Sequence, residues 1–388
     1  MFWNLHAPWR SGRPLRAGLL LATLACSTAC NDQTVTVQLH PLRASGDVTY
    51  ICRSTTDDPS LDYAGRKNRG APLAECNPGT IAPNEQDLIA LVTQTSTGEV
   101  ALINVPLDPD SQRDDEGLID VDPSTPNFNF LRVGERPGDI VSTPGGKASF
   151  VAVGEVGKPG IYGLPTSCLG APQEGETRRD LTTWPACSLP TTPGAMAVLV
   201  DRELTADGAP FGACDRSLGE EEATPIAATD ARECPADLTS EGGERGRRKL
   251  VVALPDYGSV AVIDAQWLLD REPGTFEACR FEAEYPLRVE LPAARPAQAI
   301  PEDLGSAAEG TLPVPPPPPA FSARPAGFAL ADDRLFVSDE TAPVVHVLDV
   351  TDPCAVVETP PLLPTSFDAP NRVVTTSRVA ASPLTPSG

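Results

Sequence analysis

The chain of 388 residues is poor in histidine and in aromatic side chains, and it has no long apolar run. Aromatic residues make up 5% of it, and its three histidines are His6, His40 and His346. No cysteines are spaced as Cys-x-x-Cys and no Gly-x-Ser-x-Gly elbow is present, which argues against zinc and haem centres and against a histidine-based hydrolytic triad. The apolar stretch from Ala17 to Ala25 is far shorter than the roughly 18 residues that a membrane-spanning helix needs.

Positive charge is also scarce. The chain has 30 lysines and arginines against 53 acidic residues, which gives a formal net charge of −23. An acidic surface repels the phosphates of nucleic acids and the headgroups of anionic lipids. The sequence therefore predicts no nucleic-acid partner.

The N-terminal segment has the layout of a secretory signal. Arg10, Arg13 and Arg16 precede the apolar stretch, and small residues from Ser27 to Ala29 lead to Cys30. This arrangement resembles a bacterial lipobox, in which the cysteine is diacylated and becomes the first residue of the mature protein.

The lipobox resemblance implies a signal peptide over residues 1–29, lipidation of Cys30 and a polar tether over residues 30–46. It also implies an exported protein that the N-terminal lipid holds on a membrane of the bacterial cell envelope, at the outer membrane or on the periplasmic face. Two alternatives remain open: cleavage after Ala29 without lipid, and a lipobox that ends at Cys26.

Eight cysteines remain once Cys26 leaves with the signal and Cys30 carries lipid. An even number in an exported chain indicates disulfides, although eight cysteines allow 105 connectivities. The spacing favours neighbouring pairs that bracket loop-like, Pro-, Gly- and acid-rich stretches: Cys52 with Cys76, Cys168 with Cys187, and Cys214 with Cys234, which leaves Cys279 for Cys354.

Proline and glycine are abundant, with 43 and 31 residues, which favours many short elements joined by turns. Four stretches consist of two β-rich apolar runs around a turn, as a β-hairpin does: residues 88–104, 148–162, 249–264 and 334–349. A strand introduced by proline or glycine precedes three of them, at 136–146, 193–201 and 324–333. Outer-strand candidates lie at 130–133 and 287–291. Four antiparallel strands per unit predict the blades of an all-β propeller.

The repeat resembles the YVTN-type β-propeller repeat, most closely over Gly327–Asp349, and departs from it at the turns. The resemblance covers most of residues 85–388. We expect a propeller over residues 47–388 with about four blades and the first strand of a further blade at 377–381. An incomplete ring is one interpretation of that last strand, and pairing with a strand around residues 34–39 is the other.

The hairpins are spaced more widely than the about 40–45 residues of a compact blade, so long insertions must separate the strands. They are predicted at 52–80, 106–127, 166–186, 202–247, 267–284 and 295–322. Several predicted disulfides lie in or beside them. Loops on a rigid scaffold commonly carry recognition, so the insertions are the predicted functional surface.

Few motifs could carry chemistry. The acidic residues Asp108, Asp110, Asp114, Asp115 and Glu116 could supply oxygen ligands to Ca²⁺, but they lack the EF-hand pattern and a solvated loop is the favoured interpretation. His346 is interpreted as a structural strand residue on the face opposite Val345 and Val347. The basic run at 244–249 is interpreted as solvated. No catalytic residue and no cofactor beyond this weak calcium candidate are predicted.

These observations favour a non-catalytic, envelope-anchored binding or scaffold module that presents its insertion loops to an envelope protein or a glycan. The alternative is an envelope enzyme of lactonase-like or quinoprotein-dehydrogenase-like type, because propellers that the repeat resembles host such chemistry in their central channel. At the channel ends of the predicted innermost strands, residues 139–143, 195–200 and 327–331, Asp139 is the sole carboxylate, which disfavours catalysis.

Overall fold

A computed structural model describes residues 42, 44–54, 69–76, 86–106, 117–121, 129–169, 183–201, 238, 241, 246–288, 322–362 and 379. Cys30 and the rest of the predicted signal lie outside these residues, as do Cys214, Cys234 and the acidic loop from Asp108 to Glu116. Within the described residues, no helix has both the length and the apolarity that crossing a membrane requires.

The first sheet contains six strands in the order β2-β1-β3-β4-β5, with β6 also paired to β4. Their bounds are β1 Ser45–Ser54, β2 Arg69–Ala71, β3 Gln86–Gln94, β4 Glu99–Val105, β5 Leu118–Ile119 and β6 Leu131–Arg132. The β3–β4 hairpin confirms the first predicted hairpin, and β6 confirms the outer strand predicted at 130–133.

The second sheet has the order β14-β10-β9-β8-β7. Its strands are β7 Pro137–Ser142, β8 Ala148–Val153, β9 Gly160–Pro165 and β10 Ala186–Ser188, and β14 Glu277–Ala278 joins it from the third blade. Every residue of β8 is buried, as expected for a central strand covered on both faces.

The third and fourth sheets each have four strands in chain order, β11-β12-β13-β15 and β16-β17-β18-β19. The third contains β11 Met196–Val200, β12 Arg248–Leu254, β13 Ser259–Asp264 and β15 Phe281–Pro286, with the short helix α1 Ala265–Leu269 after β13. The fourth contains β16 Pro325–Ala331, β17 Arg334–Asp339, β18 Val345–Asp349 and β19 Val357–Leu362. Prolines begin β16 and lie in the outer strand β19, positions that need no ladder donor.

Three apolar cores join the four sheets in sequence. Ile89 and Leu102 of the first sheet pack with Val151 of the second. Phe150 on the other face of the second sheet packs with Leu250 of the third, and further third-sheet residues pack on the fourth. Four sheets that pack face to face in chain order, each built mainly from antiparallel neighbours, are consecutive blades, so the chain is an all-β propeller with insertions.

The structure corrects two strand predictions. The outer strand of blade 3 is β15 and not residues 287–291, and it overlaps the end of the insertion predicted at 267–284. Its Phe-Glu-Ala-Glu-Tyr sequence alternates with period two along β13, so its glutamates are part of the pattern of a strand. The inner strand of blade 1 is β1, which occupies the end of the predicted tether and the start of the insertion predicted at 52–80.

The disulfides are partly as predicted. Cys52 pairs with Cys76 across 24 residues, which confirms that prediction. Cys187 pairs with Cys279, 92 residues away, so the predicted pairs Cys168–Cys187 and Cys279–Cys354 are wrong. The reason is the parallel pairing of β14 with β10, which brings Cys279 beside Cys187. Cys168 and Cys354 are also disulfide-bonded.

Candidate functional site

The inner strands of blades 1 and 2 carry matching carboxylates. Asp47 follows Gly46 in β1, and Asp139 follows Gly138 in β7. The strand register is interrupted at both places, between Ser45 and Val48 and between Pro137 and Ile140. A β-bulge of this kind redirects a side chain, and here it brings two carboxylates together at the start of adjacent inner strands. We call Asp47 and Asp139 the carboxyl pair.

Blade 1 fixes the Asp47 end of the pair with a hydroxyl. The Asp47 amide donates to Thr93 Oγ1 at 2.8 Å. That hydroxyl lies 2.9 Å from the carbonyl oxygen of Gly138 in blade 2, to which it donates. The Val48 amide donates to Asp47 Oδ1 at 2.8 Å. Thr93 thus ties the bulge in β1 to the bulge in β7.

Asp139 connects the pair to blade 3. Its Oδ2 accepts a hydrogen bond from the Met196 amide at the start of β11. Burial raises the pKa of Asp139, a hydrogen bond with Asp47 and the charge of Asp47 raise it further, and the Met196 and Ile140 amides only partly oppose them, so it reaches about 8. At neutral pH the carboxyl of Asp139 therefore holds a proton, as a general acid or a neutral hydrogen-bond donor must.

The corresponding positions in blades 3 and 4 carry no acid. Ala195 follows Pro193-Gly194, and Gly327 follows Pro325-Ala326. Asp139 lies on an innermost strand as predicted, but Asp47 was missed. The sequence feature that could have identified Asp47 is the similarity of Ser45-Gly-Asp-Val48 to Pro137-Gly-Asp-Ile140.

Most insertions leave the blades at the strand ends that lie opposite the carboxyl pair. In a four-stranded antiparallel blade, the connections between strands one and two and between strands three and four lie at one edge. Five of the six predicted insertions are connections of these two types, and the one at 295–322 links blades 3 and 4. We call this edge, which includes the 143–147 turn, the insertion edge, and the edge with the 255–258 turn the turn edge.

At the insertion edge, Glu241 docks the blade 3 insertion onto blade 2. Its carboxylate accepts from the Thr143 hydroxyl and from the Lys147 amide at 2.9 Å. Arg248 Nη2 donates to its carbonyl oxygen at 2.5 Å, and the two side chains are 0% and 1% exposed. Gly145 makes room, since a Cβ there would lie 2.0 Å from Glu241 Cγ.

The blade 1 insertion meets the same turn. A Cβ at Gly70 would lie 2.2 Å from the carbonyl oxygen of Gly146, so the β2 backbone is packed directly on the 143–147 turn. Arg53 forms an ion pair with Asp87 at 2.8 Å and donates to the carbonyl oxygen of Leu169 at 3.1 Å. Segments from three blades therefore form one packed platform.

Blade 4 contains a buried charge network around His346. Nε2 of His346 lies 3.1 Å from Asp339 Oδ2, and Nδ1 lies 2.7 Å from Glu358 Oε1. Burial alone would lower the pKa of His346, but these two carboxylates raise it to about 9. Burial alone would raise the pKa of Asp339, but hydrogen bonds from His346, Thr341 and Ala342 lower it to about 2. The network joins β17, β18 and β19, in agreement with a structural role.

The basic run at 244–249 is not solvated as predicted, at least at its described end. Arg248 and Lys249 begin β12 and are buried. Lys249 Nζ lies 2.7 Å from Glu282 of β15, and Arg247 Nε lies 2.7 Å from Asp264. Because β12 is a central strand, the basic side chains at its start are buried, and they need carboxylates from neighbouring strands to balance their charge.

No group of three potential metal ligands is found in the parts of the chain that the structure describes. The calcium candidates from Asp108 to Glu116 fall outside those parts. Trp184 is buried and its indole donates to the carbonyl oxygen of Arg132 at 2.9 Å, while Arg271 lies over the ring of Trp267 at 4.9 Å. Both tryptophans thus make contacts within the fold.

No protein-family model matches the chain, and no curated protein matches it. Hydrazine synthase of Kuenenia stuttgartiensis is a structural neighbour with 10% identity and a TM-score of 0.32, over 71% of this chain and 46% of that one. This chain therefore spans less than half of that neighbour's length.

Two other neighbours are the Pseudomonas aeruginosa periplasmic gluconolactonase PpgL, with 12% identity, coverage of 82% and 83% and a TM-score of 0.27, and the Myceliophteria thermophila Cps50 (Swd1) beta-propeller domain, with 9% identity, coverage of 72% and 84% and a TM-score of 0.21. The fold assignment rests on the sheets themselves.

Proposed function

We propose that the protein is a bacterial envelope lipoprotein whose YVTN-type propeller is a non-catalytic binding or scaffold module, and that its insertion edge is the recognition surface. The observation that carries the proposal is the packing of segments from blades 1, 2 and 3 at that edge. Glu241 fixes one end of the longest insertion there, and the Cys52–Cys76 disulfide fixes another insertion. Loops held at their ends by a rigid scaffold are suited to recognition.

The proposed organisation is a signal over residues 1–29, a tether that starts with lipidated Cys30 and ends before β1, and a propeller that begins at Ser45. The lipid binds the membrane, and the insertion edge binds an envelope protein or a glycan. The acidic chain has no nucleic-acid partner. Binding of this kind requires no cofactor. Equilibrium dialysis against Ca²⁺ tests the candidate ligands Asp108, Asp110, Asp114, Asp115 and Glu116.

A loop replacement tests the recognition surface. Residues 216–232 are exchanged for a Gly/Ser linker of equal length, which keeps Cys214, Cys234, buried Leu238 and Glu241. The matched control exchanges residues 297–313 in the insertion that leaves the other edge. Both full-length variants are compared with the wild type for sedimentation with purified peptidoglycan sacculi and for chemical cross-linking to envelope proteins in cells.

We expect all three proteins to unfold at similar temperatures. Binding to sacculi or to a cross-linked partner is lost in the 216–232 replacement and kept in the control. Equal binding by the wild type and the 216–232 replacement would refute the assignment of the surface, as would a wild type that binds neither sacculi nor protein.

The carboxyl pair supports a second candidate, an envelope enzyme of lactonase-like or quinoprotein-dehydrogenase-like type. The feature that favours this candidate is the raised pKa of Asp139, a carboxyl on an inner strand beside a second carboxyl, since acid–base catalysis uses carboxyls with shifted pKa values. Turnover of a lactone or of a quinone-dependent alcohol by the wild type, abolished in Asp139→Asn, would establish it. Absence of turnover across both substrate classes would leave the binding proposal in place.

A further inference from the structure

The chain enters the propeller at the turn edge. Ser45 begins β1 and pairs with Gln94, the last residue of β3. Directly before it, the carbonyl oxygen of Ala44 accepts a hydrogen bond of 3.1 Å from the Thr95 amide, in the turn that joins β3 to β4. Both contacts fix the entry point at this turn. The predicted tether therefore leaves the fold from the edge that lies opposite the insertion edge.

The turn edge is continuous from blade to blade. The Thr95 hydroxyl of blade 1 donates to the carbonyl oxygen of Pro137, which begins blade 2, at 3.1 Å. The Thr191 hydroxyl, ahead of blade 3, donates to Asp256 in the 255–258 turn at 2.5 Å. Arg324, ahead of blade 4, forms an ion pair with the same carboxylate at 3.4 Å. Neighbouring blades are thus joined at this edge, which can meet a partner as one surface.

The turn edge is close to neutral in an otherwise acidic chain. Its described connections are residues 95–98, 133–136, 154–159, 189–195, 255–258, 287–288, 322–324 and 340–344. Within them, four acids are balanced by four bases, which are Arg136, Lys158, Arg288 and Arg324. The whole chain has 53 acids against 30 bases. Headgroup phosphates are therefore not repelled at these connections as they are by the chain as a whole.

Exposed apolar side chains lie at the same edge. Val156 of the 154–159 turn is 76% exposed and Tyr257 of the 255–258 turn is 59% exposed. Leu42 beside the entry point and Leu362, which pairs with Val345 at the end of β19, are exposed too. Tyrosine suits the level of lipid headgroups, where its ring is buried and its hydroxyl is hydrated. Single exposed apolar residues are common, so what counts is their position where the tether leaves.

The length of the tether favours one orientation. Residues 30–44 form a segment with an r.m.s. end-to-end distance of about 20 Å if it is flexible. That distance suffices when the turn edge faces the anchor. In the reverse orientation the tether must also pass the height of a blade, about 20 Å for the six residues of β8. A short tether also gives the turn edge a high effective concentration at the bilayer, so weak contacts are enough to orient it.

We infer that the turn edge faces a phospholipid bilayer, with Val156 and Tyr257 at the level of the headgroups, and that the insertion edge consequently faces away from the membrane. This inference rests on the proposed lipidation of Cys30. It assigns a bilayer to one edge of the propeller and leaves the other edge accessible to the protein or glycan partner.

Tryptophan fluorescence of the full-length chain, expressed in a bacterium and reconstituted into phosphatidylcholine vesicles, tests the orientation. Tyr257→Trp places a reporter on the turn edge, and Leu73→Trp, at a residue that is 50% exposed, places the matched reporter on the insertion edge. The emission of the native tryptophans is measured in the wild type and subtracted. A lipid with a nitroxide on its headgroup should remove most of the added emission of Tyr257→Trp and leave that of Leu73→Trp.

A charge at a neighbouring turn tests the apolar contact itself. Val156→Asp, introduced into Tyr257→Trp, should reduce the quenching at position 257. The control Val357→Asp changes a residue that is 60% exposed at the insertion edge and should leave the quenching unchanged. Should Tyr257→Trp fail to fold, Val156→Trp gives the same comparison with Leu73→Trp.

Mass spectrometry of the mature N-terminus in the same sample separates the orientation from the anchor. If Cys30 is acylated and the two reporters are quenched equally, or position 73 is quenched more, the orientation is wrong and the anchor stands. Equal effects of Val156→Asp and Val357→Asp would also overturn the assigned contact. An unmodified N-terminus would refute the proposed anchor, and the membrane-facing edge with it.

Discussion

Among single residues, His346 determines how blade 4 responds to pH. Its folded pKa of about 9 lies above the unfolded value of 6.5, so its contribution to stability is complete below pH 6.5 and is lost as the pH rises through 9. Asp339 behaves in the opposite sense. Its folded pKa of about 2 lies below 3.8, so its contribution is complete above pH 3.8 and is lost as the pH falls through 2. Blade 4 is therefore most stable between about pH 4 and 6.5.

We predict that the free energy of unfolding falls by on the order of 3 kcal/mol between pH 6.5 and 9.5 because of His346. Asp139, whose pKa is also raised, adds a loss of the same sign as the pH climbs through 8. Denaturant unfolding of the wild type and of His346→Gln at several pH values separates the contribution of His346 from that of Asp139. The difference between the two proteins should shrink as the pH rises, and a constant difference would show that His346 is not charged in the fold.

Gly145 is a second residue whose identity the packing dictates. A Cβ at this position would collide with buried Glu241, whereas one at Gly117 would find only ordinary contacts at 3.8 Å. Gly145→Ala should destabilise the chain by about 2 kcal/mol, because it displaces a buried carboxylate from its donors. Gly117→Ala should change thermal stability little. Equal stability of the two variants would contradict the docking of Glu241 onto the 143–147 turn.

At the scale of elements, β14 ties blade 3 to blade 2. It leaves the connection after α1, pairs in parallel with β10 and is fixed there by the Cys187–Cys279 disulfide. A disulfide between neighbouring blades limits how far they can separate in the unfolded chain, a contribution of typically 2–4 kcal/mol.

We predict that peptide mapping of the unreduced protein gives linked peptides for Cys52–Cys76 and for Cys187–Cys279. The double variant Cys187→Ser/Cys279→Ser should lose about 2–4 kcal/mol of stability, since the closed loop of 92 residues is opened. A linked peptide that joins Cys168 to Cys187 would contradict this pairing.

The hairpins could be predicted from the sequence, whereas contacts between residues far apart along the chain could not. All four hairpins follow from period-two runs around turn residues, which are local signals. The pairing of Cys187 depends on a contact between two blades, which residue spacing does not encode. Lys249 was misread because a run of charges is usually solvated, and only the neighbouring strand shows the partner Glu282. Asp139 was placed on its inner strand but taken as a lone carboxylate there, and Asp47 was missed because β1 stands far ahead of its hairpin.

For the molecule as a whole, the two edges of the propeller have different features and different proposed roles. The turn edge carries the carboxyl pair and short turns, and the insertion edge carries a platform built by three blades. The apolar cores between successive sheets make this division rigid, because each blade is packed against the next. Recognition at the insertion edge is the central claim.

Site-specific photocross-linking in cells tests that claim most directly. A photoreactive phenylalanine is placed at Leu73 on the insertion edge or at Tyr257 on the turn edge, which are 50% and 59% exposed and so are matched in accessibility. The account predicts that the full-length chain forms an adduct with an envelope protein or glycan from position 73 and none from position 257. Such an adduct from position 257 alone, or from neither position, would contradict it.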